Sequence, residues 1–404
     1  MPMANGGWII SRNSPRLDGS YDYNLKVAKL ADEMGLDFIM AMAKFKGYGG
    51  EIQHWESSLD SPLMMAGLAQ ATSRVKVWAT IHTLLQNPAV AAKMIATLDQ
   101  ISHGRAGLNV VTGAYKGEFA QMGAWPEGVD HDERYVLATE WIENIKRLWS
   151  EDRVSAQGKY FTLDDCTSWP KPQQRPFLVC AGTSKAGVKF TAEHMDALFL
   201  AGNNLDELIA NTHKAKAGAL ELGHAIRTYS MMILVIGETD AEAEAMVQSY
   251  REGLDEETLW GMMRAYGMLD AEIGKENDFT RKARSALMAP HVAGSPATVL
   301  AQLTEIFDKT ALDGLMVIFP DYLTMLPVFA EKILPVLRAR FPGKIRRHSM
   351  PEAEAPTAID PVTALPHVIA PGAMIAPNAP HWWWWTCRWI LPRRTAWWPD
   401  TAPT

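Results

Sequence analysis

The sequence predicts an α/β protein, a (β/α)8 barrel with insertions, and three observations lead there. Short apolar runs bounded by glycine and other turn residues recur at residues 36–42, 75–80, 106–111, 177–181, 197–201, 231–236 and 315–319. Runs of that length read as buried strands. Stretches with helical periodicity lie between them, at 23–33, 89–101, 131–149, 185–193, 205–222 and 241–250, and such alternation implies a parallel sheet. The 404 residues suffice for one large α/β barrel, and seven strands fit an eight-stranded barrel that lacks one.

The remaining segments fit around this frame. Residues 154–176, rich in turn formers, read as an excursion between strands, and the charged, helical stretch 252–292 as an insertion before the last strand. The barrel pattern covers residues 1–343. Residues 344–404 are rich in Pro and Ala, hold seven of the 15 Trp and carry no usable periodicity. They read as a disordered, unselected extension, with a membrane-surface or partner-binding tail as the alternative.

Composition narrows the function. The chain is 48% hydrophobic and 21% charged, as in ordinary globular enzymes. A net charge of −7 with scattered Lys and Arg argues against nucleic acid. Cys166, Cys180 and Cys387 match neither a disulfide framework nor a zinc spacing, which points to a reducing cytoplasm. The sequence suggests no signal peptide and no membrane span.

Residues 104–123 carry most of the chemical information. Asn109 is the one amide in the apolar run 106–111, and a buried amide without partners costs a few kcal/mol. Near the end of a barrel strand it would face a ligand. Glu118, Arg134 and Tyr135 follow, with a surface ion pair and a helix-packing aromatic as their plainer readings. Thr80 ends the run 75–80, where it caps a loop or, together with Asn109, holds a small ligand. Ala43 and Lys44 precede the glycine-rich Gly47-Tyr48-Gly49-Gly50, a loop that allows close backbone approach to a ligand. Ser184 opens a helix just after Gly182, either as a simple cap or as part of a phosphate site. His131-Asp132-Glu133 is rejected as a metal site, because consecutive helical residues point apart.

In order and spacing these motifs resemble the bacterial-luciferase-like flavin monooxygenases, from about Pro2 to Leu337. The nearest likeness is to the branch that opens pyrimidine rings, through Asn5-Gly6-Gly7-Trp8, Lys44 with Lys46-Gly47-Tyr48-Gly49-Gly50, residues 65–69, 113–125 and 179–182. In that family a hydrophobic first strand precedes the segment matching residues 2–11, so the first barrel strand is expected to be truncated here. The resemblance implies that Ala43, Lys44, Asn109, Glu118, Arg134, Tyr135 and Ser184 contact FMN, and that Asn109 and Thr80 flank the oxygen pocket and are catalytic. It implies reduced FMN supplied by a separate NADH-dependent flavin reductase, O2 as co-substrate, a small-molecule substrate and no metal, and it leaves a homo-oligomer open.

The chain departs from the pyrimidine pattern in the pocket. Ala114 stands where that branch has a tryptophan, and Ile81 and His82 replace two small residues. Ala114 enlarges the pocket and His82 adds a hydrogen-bond donor, so a cyclic amide or a larger heteroaromatic carbonyl compound is expected to be oxidised better than uracil. The alternatives are an alkanesulfonate or dimethyl sulfone monooxygenase, a deazaflavin-dependent dehydrogenase, and an inactive flavin-binding paralogue.

Overall fold

The structure, a computed structural model, describes residues 1–113, 115–200, 202, 204–266 and 284–342. Its centre is a parallel sheet. In chain order its strands are β1 (Phe38–Met40), β2 (Lys76–His82), β3 (Ala106–Val111), β6 (Phe177–Cys180), β7 (Ala197–Leu200), β8 (Arg227–Ile236), β9 (His291–Gly294) and β10 (Gly314–Ile318). The pairing runs β1-β2-β3-β6-β7-β8-β10. The long β8 carries β10 along Tyr229–Ile233 and β9 along Ile233–Ile236 of the same strand. A two-stranded antiparallel hairpin, β4 (Val154–Gln157) with β5 (Thr162–Cys166), forms part of the predicted excursion.

Helices alternate with the strands: α1 (Tyr21–Glu33), α2 (Ser61–Gln70), α3 (Pro88–Ser102), the short α4 (Lys116–Ala120), α5 (His131–Ser150), α6 (Lys185–His194), α7 (Leu205–Glu221), α8 (Asp240–Glu252), α9 (Glu256–Ala265) and α10 (Pro296–Lys309). Most open on a side chain that satisfies an otherwise free N–H. Asp60 caps α2, Asn87 caps α3, Asp130 caps α5 and Ser184 caps α6. Neighbouring helices α2, α3, α5, α6 and α7 pack in series along the outside of the sheet.

Two charged residues fix the strands that matter for the site. The Asp32 carboxylate, at the end of α1, accepts from the N–H groups of Ser73, Arg74 and Val75 at 3.0, 2.7 and 2.7 Å and so sets the turn into β2. Arg105 opens β3 and donates to the carbonyls of Ala69, Thr72, Val75 and Ser102 at 2.6–2.9 Å. Each is a charge-assisted contact to backbone, stronger than a neutral hydrogen bond.

Side chains alternate across a strand, so Trp78, Thr80 and His82 share one face of β2. Trp78 lies in a buried cluster with Val179, Ala197, Phe199 and Tyr229, and the Phe38 ring stacks on it at 3.9 Å. Opposite it in the ladder is Gly107, where a Cβ would stand 2.3 Å from Trp78 Cδ1. Aromatic rings thus fill this face near the start of the strands, and the polar pair Thr80 and Asn109 comes one layer further along.

The alternating α/β pattern and the parallel sheet follow the sequence reading. Strand β9 and the helices α2 and α10 were not anticipated. Among the described residues no strand precedes Phe38. Residues 1–11 run in turns tied by isolated bridges at Ala4–Ser58, Ile9–Leu287 and Ser11–Leu254. Ala114, residues 267–283 of the expected insertion and the predicted tail at 344–404 lie outside the described residues.

Candidate active site

The residues singled out in sequence gather at the ends of β1, β2 and β3 and at the starts of α4, α5 and α6. Thr80 and Asn109 face each other in register on β2 and β3. The Thr80 hydroxyl donates to the Ala41 carbonyl at 2.6 Å, and Asn109 Nδ2 donates to Thr80 Oγ1 at 3.0 Å. A carbonyl only accepts, so the Thr80 hydrogen is committed to Ala41 and Thr80 can only accept from Asn109. This fixes the carboxamide: its N–H side meets Thr80, and Oδ1 is left buried with no protein partner. Asn109 is only 6% exposed. An amide oxygen orphaned at that depth is the costly feature expected where a ligand supplies the missing donor.

Lys44 follows β1 and meets Glu118 of α4. Nζ and Oε2 are 3.1 Å apart, and both side chains are buried. The second carboxylate oxygen accepts from the Phe45 N–H at 2.7 Å. The ammonium also lies over the Tyr48 and Tyr115 rings, 4.8 and 4.9 Å from their centroids. Burial pulls the Lys44 pKa below its ordinary value, against the raising effect of the Glu118 charge. The two expected flavin ligands therefore neutralise each other. Lys44 fastens the 43–45 loop to α4 and is not a free cation for a phosphate.

His82 joins these groups. Its Nε2 lies 3.3 Å from the Ala43 carbonyl, and its ring meets Phe119 edge to face at 5.0 Å. Burial lowers its pKa, so the ring is neutral at pH 7. Nε2 then carries the proton for Ala43, and the buried, unpartnered Nδ1 is an acceptor. With Nε2 beside the Ala43 carbonyl, Nδ1 is the ring nitrogen left without a partner.

Arg134 and Tyr135 lie in the first turn and a half of α5. The Arg134 guanidinium sits 5.0 Å from the Trp125 ring centroid, with its buried Nε unpartnered. The Tyr135 phenol lies near the side chains of Thr112 and Ser184, and burial is the main cause of its raised pKa. Gly182 and Gly187 make room for it: a Cβ at Gly182 would stand 2.1 Å from the phenol oxygen. Ser184 Oγ accepts from the Gly187 N–H at 3.1 Å as the α6 cap. Tyr135 and Ser184 therefore meet, whereas Arg134 is turned towards Trp125.

His131 pairs with Asp132 at 2.7 Å, and Glu133 reaches Lys159 and Tyr160. Among the described residues no group of His, Cys, Asp and Glu is arranged to hold a metal, and no helix is long and apolar enough to cross a membrane. Sequence reasoning missed Ser61, Thr112 and Tyr115. Ser61 stands between a capping Asp60 and Pro62, a pattern that reads only as a helix start.

A parallel α/β sheet with buried polar groups collected towards the C-terminal ends of adjacent strands is the architecture of a barrel-type enzyme. The model of the luciferase-like monooxygenase family matches residues 3–314. A pyrimidine monooxygenase, RutA, of Acinetobacter baylyi is 35% identical over 351 residues, covering 84% of this chain and 94% of that protein. In structure the chain is similar to riboflavin lyase RcaE, solved with modified FMN and riboflavin, at TM-score 0.74 and 23% identity over 84% of this chain and 90% of that one. It is also similar to the oxygenating constituent of 3,6-diketocamphane monooxygenase from Pseudomonas putida, in complex with FMN, at TM-score 0.59 and 23% identity over 78% and 92%. The chain belongs to the luciferase-like monooxygenase family, and it is a flavin-dependent monooxygenase.

Proposed function

We propose that this enzyme binds reduced FMN noncovalently at the strand ends beside Asn109 and, with O2, oxidises a small cyclic amide in a pyrimidine-type ring opening. The observation that carries this reading is the orphaned Asn109 Oδ1, buried beside Thr80. A reduced flavin ring offers N–H groups to such an acceptor. The likeness to a pyrimidine monooxygenase over most of both chains favours the substrate class. Two structural neighbours were solved with FMN or a modified FMN, which favours that flavin.

The residues present fit the cofactor. Arg134, with its unpartnered Nε, and the N–H groups at the start of the ten-residue α6 suit a phosphate. Ser184 would add a hydroxyl there, with Tyr135 holding the α6 entry in place. Ala43, Lys44 and Glu118 would shape the flavin's edge through a loop locked by the ion pair. Bound reduced flavin supplies the two electrons that take one oxygen atom of O2 to water while the other enters the product. Asn109 orients the ring, and the packed Trp78 layer below keeps water from that side. His82 Nδ1 accepts an N–H from a cyclic amide, which sulfones and alkanesulfonates lack. The sequence carries alanine at position 114 where the pyrimidine branch has tryptophan, and the loss of that ring favours a substrate larger than uracil. We further propose that a separate NADH-dependent reductase delivers the flavin.

The test is a substrate panel with reduced FMN, a reductase and O2, followed by product mass: uracil, thymine, bulkier lactams, dimethyl sulfone and short alkanesulfonates. Ring-opened amides are expected, with bulkier substrates favoured over uracil. Sulfite or methanesulfinate as the main product would move the enzyme to the sulfur branch, and turnover without O2 to hydride transfer.

A further inference from the structure

The β1–β2 ladder contains an irregularity at the level of the site. Lys76 N–H donates to the Asp37 carbonyl at 3.1 Å, and Ala41 N–H donates to the Trp78 carbonyl at 3.2 Å. The next rung of a parallel ladder joins Thr80 N–H to the Ala41 carbonyl. That rung is replaced by a side chain. Thr80 N–H donates to Ser61 Oγ at 2.9 Å, and Ser61 Oγ donates to the Ala41 carbonyl at 3.1 Å. Ser61 lies in the first turn of α2 and is fully buried. Its hydroxyl acts as a relay inserted between the strands, and the Ala41 carbonyl also receives the Thr80 hydroxyl at 2.6 Å.

We propose that Ser61 is a positioning residue for Asn109. By standing in for the ladder rung it holds the Ala41 carbonyl where the Thr80 hydroxyl can donate to it. Thr80 is thereby an acceptor only, Asn109 must turn its N–H side to Thr80, and Oδ1 faces the pocket. Without the Ser61 hydroxyl the direct Thr80 N–H to Ala41 rung can close. The Thr80 hydroxyl then loses its place on that carbonyl, can donate instead, and the carboxamide is free to flip. Ser61 touches neither flavin nor substrate in this account, which rests on the proposed flavin site.

The experiment uses full-length protein with selectively 15N-labelled asparagine, the Asn109 signal being assigned by its absence in Asn109→Asp. In flavin-free Ser61→Ala, hydrogen exchange at the Asn109 side-chain amide is expected to rise about tenfold, the change that follows loss of one hydrogen bond of ordinary strength. With reduced FMN and substrate, product per flavin oxidised should fall and hydrogen peroxide rise to match, while FMN affinity stays within about threefold. Ser61→Thr, which keeps the hydroxyl, should restore both readouts. If Ser61→Ala does not fold, Ser61→Cys, which keeps the size but is a weak donor and acceptor, should give the same amide and coupling changes. Unchanged Asn109 exchange with unchanged coupling overturns the proposal. So does a coupling loss that merely tracks FMN affinity or melting temperature. If the amide responds but the wild-type protein binds no FMN, the positioning stands and the flavin reading fails.

Discussion

Asn109 Nδ2 lies 3.0 Å from Thr80 Oγ1, and that hydroxyl is itself bonded to the Ala41 carbonyl at 2.6 Å. Three strand-end residues thereby settle which atom of the carboxamide is left buried without a partner. The consequence is chemical: the site offers a fixed acceptor, and its complement is an N–H.

In the proposed reading the phosphate end of the cofactor would fall to Arg134 and the α6 entry, since Lys44 is paired with Glu118. Arg134→Ala and Ser184→Ala are each expected to weaken reduced-FMN binding by about 1–3 kcal/mol, the range for charge-assisted bonds. Anaerobic fluorescence titration measures it. Wild-type affinity in both variants would remove the phosphate from this end of the site.

The Lys44–Glu118 pair is expected to behave as a buried unit. Lys44→Met leaves the Glu118 carboxylate without its counter-charge and should destabilise the fold by about 3–5 kcal/mol. The double variant Lys44→Met with Glu118→Leu should recover much of that loss. Urea unfolding of both proteins checks this, and purely additive losses would show that the two charges are not coupled.

Stability should fall on mild acidification. Burial lowers the pKa of His54 to about 3 and of His194 to about 4, and it also lowers those of His82 and His291. Below about pH 6.5 the unfolded chain takes up protons that the folded protein refuses, so stability is full above that pH and is lost as pH falls towards the folded values. Each such group contributes a slope of up to about 1.4 kcal/mol per pH unit. Urea midpoints measured from pH 7.5 to 5 should drop steadily, before the carboxylates titrate. A flat profile would mean that these rings are solvated.

Gly107→Ala should cost about 1–3 kcal/mol by overpacking, since the new methyl meets Trp78 and the aromatic layer behind it is filled. Thermal unfolding of the variant is the check, and an unchanged melting temperature would show that the layer can yield.

The sheet was legible because its strands are short apolar runs between glycines: the run 106–111 coincides with β3, and the predicted α5 start at His131 coincides with the structure. Strand β9 (His291–Gly294) was missed because four residues beginning with histidine and ending in glycine make no apolar run. Helix α2 was missed because Met64, Met65, Ala66, Leu68 and Ala69 leave little polar face to set a period. At the site, Asn109, Thr80, Tyr135 and Ser184 were readable as residues, and their partners were not. That Lys44 is paired with Glu118, and that Ser61 enters a strand ladder, depend on contacts between segments 74 and 19 residues apart in the chain. No local pattern encodes such contacts.

The central claim is that Asn109 couples reduced flavin and O2 to substrate oxidation. The direct measurement loads wild type and Asn109→Ala with reduced FMN and substrate without air, admits O2, and counts product and hydrogen peroxide per flavin oxidised. The wild-type protein should convert most of its flavin equivalents into product. Asn109→Ala should bind FMN, oxidise it and release mainly hydrogen peroxide. Wild-type coupling in Asn109→Ala would contradict the account and reduce Asn109 to a structural amide.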